Sequence, residues 1–419
     1  MKVVANMGNS ISISTFTYKL FNRKECLSMS REQFSKWLVG FIDGEGNFQV
    51  FLDKYYLKVM FRIRLHKDDI NVLKKIQEFL GKGRVVIDGN SCVFIISDKK
   101  DLINVLFPLL DEYKLYTTKW LDYNDFKRVV LFLSNSNTTR VSLSQLAWVK
   151  NIINNMNLGR TEFNLNLIPN IIVNPFWLLG FIEAEGTFGF KNLSPFFQVG
   201  QHVKNLFLLE AIANYLKSIP NGFNFSLRSK APTVNNSLNK KTSVSVISIV
   251  SIDVLYDYLS FFFLDMPFQT RKGIDFYFWC IALHLHKFGH FYLTEGRNLT
   301  YQISQYVNSG RYSTNPNLVQ SPSLTEINKV LNLNLPVKLT PNMLHVDLAK
   351  ALTSKVKPNA IWVYDNGVLV NKNQEPFSSF ASAMEAIGYS KSSVAGRRSL
   401  DTGKIIGGRY TFYSNPQSQ

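Results

Sequence analysis

Glu45 and Glu185 close two copies of one pattern, Leu38-Val39-Gly40-Phe41-Ile42-Asp43-Gly44-Glu45-Gly46 and Leu178-Leu179-Gly180-Phe181-Ile182-Glu183-Ala184-Glu185-Gly186. Each copy reads as an apolar helix closed by a glycine-bearing turn. Gly40 and Gly44, like Gly180 and Ala184, stand one helical turn apart and let two helix backbones approach closely. Two such helices packed together emerge side by side at their C-terminal ends, which brings Glu45 and Glu185 to one locus near a pseudo-twofold axis. Paired carboxylates repel and call for cations. Hard oxygen ligands favour Mg2+, which keeps waters and is commonly held by one or two carboxylates plus substrate phosphates. The chemistry predicted is metal-dependent phosphodiester hydrolysis. An anion at a helix C-terminus is disfavoured by ~0.3–1 kcal/mol, so the same placement twice points to a task other than stability. Asp43 and Glu183, two residues earlier, read instead as polar partners of the interface or helix end.

The positioning elements recur with the motifs. Phe61-Arg62-Ile63-Arg64-Leu65-His66 parallels Phe197-Gln198-Val199-Gly200-Gln201-His202, and Lys119-Trp120-Leu121-Asp122-Tyr123 parallels Lys272-Gly273-Ile274-Asp275-Phe276. Alternation puts Val59, Phe61, Ile63 and Leu65 on one strand face and Lys58, Met60, Arg62 and Arg64 on the other. Asp69 to Leu80 is predicted helical up to Gly81, Val85 to Ser97 is a hairpin turning at Asp88-Gly89-Asn90, and Asp101 to Tyr113 is a further helix. The order is helix, two strands, helix, two strands, helix. The second copy adds a basic, polar loop around Arg228 to Lys241 before a strand at Ser243 to Ile252.

Composition narrows the partners. The chain has 419 residues, 46% hydrophobic and 18% charged, which excludes whole-chain disorder. With 47 Lys+Arg against 30 Asp+Glu the net charge is +17, so a polyanion, and nucleic acid first, is the expected partner. No apolar stretch approaches the ~20 residues of a spanning helix, so no membrane partner is expected. Three cysteines without CxxC spacing exclude a disulfide framework and a cysteine zinc site. Residues 1–24 carry Lys2, Lys19, Arg23 and Lys24 and no acid, the bias of a mitochondrial transit peptide or of an exon-derived leader.

The duplicated motif resembles that of the LAGLIDADG homing endonucleases in their single-chain, two-motif form, over roughly residues 31–295. The resemblance implies an α+β fold of two pseudo-symmetric αββαββα repeats forming a β-saddle over the DNA major groove. It implies metal held at Glu45 and Glu185 with the adjoining Gly44 and Ala184. Mg2+ is the expected ion, Mn2+ a substitute, and Ca2+ a support for binding without cleavage. Lys119 and Lys272 match the family's basic residue at the end of the last strand, with an electrostatic role. Gln201 matches a polar residue that orients water; Leu65 takes its place in the first repeat, leaving the halves chemically unequal. Gln49, Lys54, Lys58, Arg62, Arg64, Lys191, Gln198 and Arg228, with Phe190, are the expected groove-facing residues. His66 and His202 read as structural. His284, His286 and His290 have near-metal spacing on a helix, but His284 and His286 lie on different faces.

The tail resembles the helix-turn-helix modules appended to intron-encoded nucleases, carried by Phe377-Ser378-Ser379-Phe380 through Arg398 and the ending Gly403-Lys404 to Tyr413. It opens with a hairpin at Asp365-Asn366-Gly367. A helix follows over Ser379 to Ile387, and a second starts at Ser390. Lys391, Ser392, Ser393, Arg397 and Arg398 become candidate DNA contacts. The predicted organisation is a leader (1–30), repeat one (31–160), repeat two (161–295), a linker (296–357) and the tail module (358–419). The expected function is site-specific cleavage of double-stranded DNA at a long pseudo-palindromic target by a mitochondrial, intron-encoded monomer. The alternative is an RNA-binding maturase acting on its host intron. Intact glutamates in both copies favour the nuclease.

Overall fold

The computed structural model describes residues 28–136, 139–219, 233–239, 242–340, 343–355, 360–371, 375–392 and 395–417. Most of the predicted leader therefore lies outside the described residues, as do Arg228 and Ser393.

The first repeat opens with α1 (Arg31–Glu45), started by a capping box in which Ser30 and Gln33 satisfy each other's backbone N–H groups. Strands β1 (Gly46–Asp53) and β2 (Tyr56–His66) follow, then α2 (Ile70–Leu80), closed by Gly81 at φ +67°. Strands β3 (Arg84–Asp88) and β4 (Ser91–Ile96) complete an antiparallel sheet in the order β1-β2-β4-β3. A helical stretch through Lys99–Asp101, π-helical Leu102–Leu106 and Phe107–Glu112 leads to α3 (Lys119–Asn135) and α4 (Leu143–Asn154). The predicted alternation holds on β2: Val59, Phe61 and Ile63 are buried, Lys58 and Arg64 exposed.

The second repeat repeats the plan with α5 (Pro175–Glu185), β5 (Gly186–Lys191), β6 (Ser194–His202), α6 (Leu206–Ser218), β7 (Thr233–Asn239) and β8 (Thr242–Ile249) in the order β5-β6-β8-β7. Another π-helical segment, Leu255–Ser260, precedes α7 (Lys272–Lys287). The stretch expected to be an inserted loop contains β7, which pairs with β8 from Thr233↔Ser248 to Asn239↔Thr242. Its polar sequence conceals an edge strand, because backbone pairing on one side does not demand the apolar alternation by which buried strands are read. Phe48 pairs with Phe61 and Phe188 with Phe197 in matching registers, each beneath the long helix of its own repeat. A single apolar core runs through both repeats.

The segment expected to be a linker is largely folded. It forms α8 (Thr294–Tyr306), α9 (Leu324–Leu331) and α10 (His345–Lys355), with Leu299, Ile303, Ile327 and Val330 buried in the common core. Asn308, Ser323 and Asn332 stand at the ends of these short helices, whose brevity blurs their periodicity. The tail has its own small core of Ile361, Val363, Phe380, Met384, Leu400 and Phe412. Strands β9 (Trp362–Asp365) and β10 (Val368–Leu369) form the expected hairpin, turning at Asn366 (φ 48°) and Gly367 (φ 85°). Helix α11 (Phe380–Ala386) is capped by Ser379, whereas α12 is only Ala395–Arg398. The ending does not pair on itself as a hairpin alone: β11 (Tyr410–Tyr413) joins β9, giving a three-stranded sheet β10-β9-β11. Among the described residues α12 spans Ala395–Arg398, with Lys391 and Ser392 in a turn ahead of it. Among the described residues, no helix is long and apolar enough to cross a membrane.

Candidate active site

The site is built on the crossing of α1 and α5. A Cβ added to Gly40 would lie 2.0 Å from the Trp177 carbonyl oxygen, and one added to Gly180 would lie 2.0 Å from that of Trp37. One turn on, a Cβ at Gly44 would meet the Ala184 Cβ at 2.2 Å and the Glu185 Cγ at 3.1 Å. Only glycine permits backbones this close, and the closeness brings the two helix ends together with Glu45 and Glu185. The burial of Glu45 and the neighbouring Glu185 charge raise its carboxyl to about 7 against the pull of Lys119 and Lys272.

Asp43 and Glu183 fasten the loops that deliver the lysines. Asp43 accepts hydrogen bonds from Tyr116 N (2.7 Å), Thr117 N (3.0 Å) and Thr117 Oγ1 (2.7 Å). Glu183 accepts from Gln269 N (2.6 Å) and Thr270 N (3.1 Å). Thr117 Oγ1 then receives Lys119 N, and Thr270 Oγ1 receives Lys272 N, both at 3.2 Å. Lys119 and Lys272 are thereby the first residues of α3 and α7, not the ends of strands as the resemblance implies. Chain order misleads here, because a helical stretch and a turn intervene between β4 or β8 and the lysine.

Both lysines reach back over the glutamate-bearing helix ends. Lys119 Nζ donates to Gly44 O (2.7 Å) and Ile42 O (3.0 Å), and Lys272 Nζ donates to Gly186 O. A cation over the last carbonyls of a helix offsets the dipole penalty of an anion there. Burial lowers both ammonium groups, opposed by the surrounding carboxylates, Glu45 and Glu185 among them.

Of the two residues expected to complete a metal site, Gly44 has its carbonyl engaged by Lys119, and Ala184 lines a cleft beside Glu45. That cleft, of about 370 Å³, is also lined by Leu65, Asp69, Lys272, Arg311 and Tyr312. Across the pseudo-axis, Gln201 Oε1 accepts from Asn205 Nδ2 (2.9 Å), and Asn205 Oδ1 accepts Thr118 N (2.9 Å). Among the described residues no group of three or more His, Cys, Asp or Glu is arranged to hold a metal ion. The two convergent glutamates are the hard-oxygen pair that suits an ion completing its shell with water and phosphate oxygens.

The expected groove-facing residues lie on the sheets, several engaged with neighbours. Lys58 pairs with Asp53 (3.3 Å), Arg64 with Asp88 (2.9 Å), and Gln198 Nε2 with Ser248 Oγ (3.2 Å), while the Gln49 side-chain amide faces the Arg62 guanidinium. Lys54 and Lys191 are exposed at or near their hairpin tips. Exposed ion pairs contribute only about 0–1 kcal/mol, so Lys58 and Arg64 can exchange partners for phosphate or base edges. In the tail, Lys391 pairs with Glu385 (2.9 Å), Ser392 is exposed, Arg397 lies over the Phe380 ring and Arg398 is half-buried. They do not share one recognition helix. His284 Nδ1 meets Tyr256 OH (2.9 Å) and His286 Nε2 meets Leu193 O (3.0 Å), both rings buried and held neutral by desolvation. His66 and His202 each accept a backbone N–H two residues on.

One further pair of contacts repeats, at residues not singled out by the motifs above. Arg160 pairs with Asp122 (3.0 Å) and Arg311 with Asp275 (2.6 Å), while Asn157 and Asn308 send their amides to Phe48 O (2.9 Å) and Phe188 O (3.1 Å). The signal is present: Asn157-Leu158-Gly159-Arg160 recurs as Asn308-Ser309-Gly310-Arg311. It carries the second repeat past residue 295, through α8 to Arg311.

Known proteins agree with this architecture. The model of the LAGLIDADG endonuclease family matches residues 38–130 and 178–283. A Saccharomyces cerevisiae protein named "Uncharacterized mitochondrial protein RF1" is 30% identical over 366 residues, 83% of this chain and 75% of that protein. "Probable intron-encoded endonuclease 3" of Neurospora crassa is 26% identical over 284 residues, 62% of this chain and 52% of that one. The crystal structure of I-GzeII, a LAGLIDADG homing endonuclease in complex with its DNA target, superposes with a TM-score of 0.56 at 24% identity, covering 66% of this chain and 98% of that one. With its two motifs at the crossed helices and its two matching sheets, the chain belongs to the LAGLIDADG endonuclease family.

Proposed function

We propose that this protein is a site-specific homing endonuclease that cuts both strands of a long, pseudo-palindromic DNA target. The observation that carries the reading is the convergence of Glu45 and Glu185 at the ends of two crossed helices, with Lys119 and Lys272 folded over the same ends. Glu45 and Glu185 would hold Mg2+, which when bound supplies an activated water and neutralises charge on the phosphate. Lys119 and Lys272 add fixed positive charge where the transition state gathers negative charge. The Gln201 amide, tied to Asn205, would orient a water. Each cut adds one water across a P–O bond, the water oxygen going to phosphorus and a proton to the leaving oxygen.

The sheets, which expose Lys54, Lys58 and Arg64 in the first repeat and Lys191 in the second, on a chain of charge +17, would supply the binding surface for the polyanion. Fungal relatives named as mitochondrial or intron-encoded support a mitochondrial setting and an intron-borne gene. Both motifs lie on one chain, so a monomer suffices. The test is incubation with a randomised duplex library in Mg2+ and, separately, in Ca2+. Cuts at one extended motif in Mg2+, with binding and no cutting in Ca2+, are expected. Absence of new ends under both conditions, with tight binding to a structured intron RNA, would replace this reading with that of a maturase.

A further inference from the structure

Beyond Arg311 the chain crosses from the second repeat to the first. Ser313 donates its backbone N–H (2.8 Å) and its hydroxyl (2.6 Å) to the Asp68 carboxylate. Tyr312 packs on the His66 ring at 4.3 Å, and Thr314 Oγ1 lies 2.8 Å from His66 Nε2. Asp68 also pairs with Arg271 Nη1 at 2.6 Å. A second Arg271 nitrogen donates to Arg311 O (2.9 Å), and the Arg271 backbone N–H donates to Asp69 Oδ1 (3.1 Å). Arg271 immediately precedes Lys272, so this clasp holds the start of α7 against the first repeat.

Among the described residues the other lysine has no such clasp. Thr118, Lys204 and Asn205 occupy the places of Arg271, Asp68 and Asp69. The backbone bond survives, from Thr118 N to Asn205 Oδ1 (2.9 Å). The ion pair does not, since threonine carries no charge and Lys204 sits over the Phe163 ring at 4.8 Å. The two sides thus differ twice: one has the Gln201 amide and no clasp, the other has Leu65 and the Asp68 clasp. Leu65 cannot hydrogen-bond a water, so the cleft it lines has lost one oriented group while its lysine has gained an external anchor.

Resting on the endonuclease reading above, we propose that Asp68 is a positioning residue for one of the two cutting sites only: through Arg271 it holds Lys272 at the cleft beside Leu65, and the strand served by that cleft is cut second. The reaction therefore passes through a nicked duplex. Loss of one positioned polar group slows a chemical step by about 10²–10³, which sets the scale of the delay.

The experiment uses the full chain and a duplex recovered from a randomised library by binding in Ca2+, each strand carrying its own label, with cutting started by Mg2+. The unmutated protein is expected to cut one strand at least about 10²-fold ahead of the other. Asp68→Asn should slow the later strand about tenfold further and leave the earlier one within about twofold, as expected for a misplaced group at one site. Ser313→Ala, which removes a single donor to the same carboxylate, should act in the same direction without threatening the fold. Leu65→Gln should narrow the ratio between the strands. Equal rates for the two strands in the unmutated chain, or equal slowing of both by Asp68→Asn, would overturn the proposal while leaving the endonuclease reading standing. Failure of the unmutated chain to cut either strand would refute the endonuclease reading itself, and the proposal with it.

Discussion

Asp43 of the first repeat accepts the indole N–H of Trp177 from the second repeat at 3.2 Å. The same carboxylate takes three further hydrogen bonds from Tyr116 and Thr117, so one buried group joins the repeat interface to the loop that delivers Lys119. Trp37 stands in the corresponding place toward Glu183, but outside hydrogen-bond geometry. Removing the carboxylate leaves several buried donors unpaired. Asp43→Ala is expected to cost about 3 kcal/mol by chemical denaturation; a change below about 1 kcal/mol would show that water replaces the carboxylate without penalty.

The helix crossing predicts an asymmetry between glycines. Gly40→Ala and Gly180→Ala drive a methyl into a backbone carbonyl 2.0 Å away. Each should destabilise by at least about 2 kcal/mol, because neither helix can move without unpacking the other. Gly89, at φ +59° with open space around it, should accept Asn with little loss. Thermal melts of the three variants decide the matter, and equal melting temperatures would contradict the geometry.

The two glutamates predict a separation of binding from chemistry. Glu45→Gln and Glu185→Gln keep the shape of the site and remove one of the proposed anionic ligands each. Cleavage should fall by at least about 10³, while affinity for the target, measured by gel shift in Ca2+, changes little. Unchanged cleavage in both variants would remove the glutamates from the active site.

Glu45 also predicts a pH dependence in metal-free protein. Its carboxyl stands at about 7 in the folded chain against an ordinary value of 4.5, raised first by burial and then by Glu185. The folded state therefore binds the proton more tightly than the unfolded state. Stability from this group is complete below about pH 4.5 and is lost as pH rises toward 7. The loss is on the order of 2–3 kcal/mol. In chelator, unmutated protein should lose more stability than Glu45→Gln between those limits, and Mg2+ should restore the difference at pH 8. Parallel stability curves for the two proteins would contradict the burial of an ionisable pair at this locus.

The sequence made some of this visible and hid the rest for definable reasons. The duplicated motif exposed the crossed helices and both glutamates, since small residues one turn apart and an apolar run have few other uses. The alternation on β2 was readable because one of its faces is buried. The edge strand β7 was not, because its polar residues resemble a loop. The roles of Asp43 and Glu183 depend on loops more than 70 residues away in the chain, which local spacing does not reveal. The helices beyond residue 295 were masked by their brevity and by the Asn and Ser residues at their ends. The Asn-x-Gly-Arg recurrence at Arg160 and Arg311 is legible in the sequence but lies beyond the lysine helices, apart from the long blocks of self-similarity.

The crossing of α1 and α5 also divides the molecule by how freely it can change. At Gly40 and Gly180 no side chain can be added, and at Gly44 only the smallest neighbour fits, so the pivot admits almost no sequence variation. The outer strand faces, with Lys54, Lys58, Arg64 and Lys191 open to solvent, are under no such restriction. On the proposed reading, new side chains there alter which DNA sequence is preferred while the geometry that brings the glutamates together stays fixed. Target preference can thus drift over generations without each change having to rediscover the chemistry.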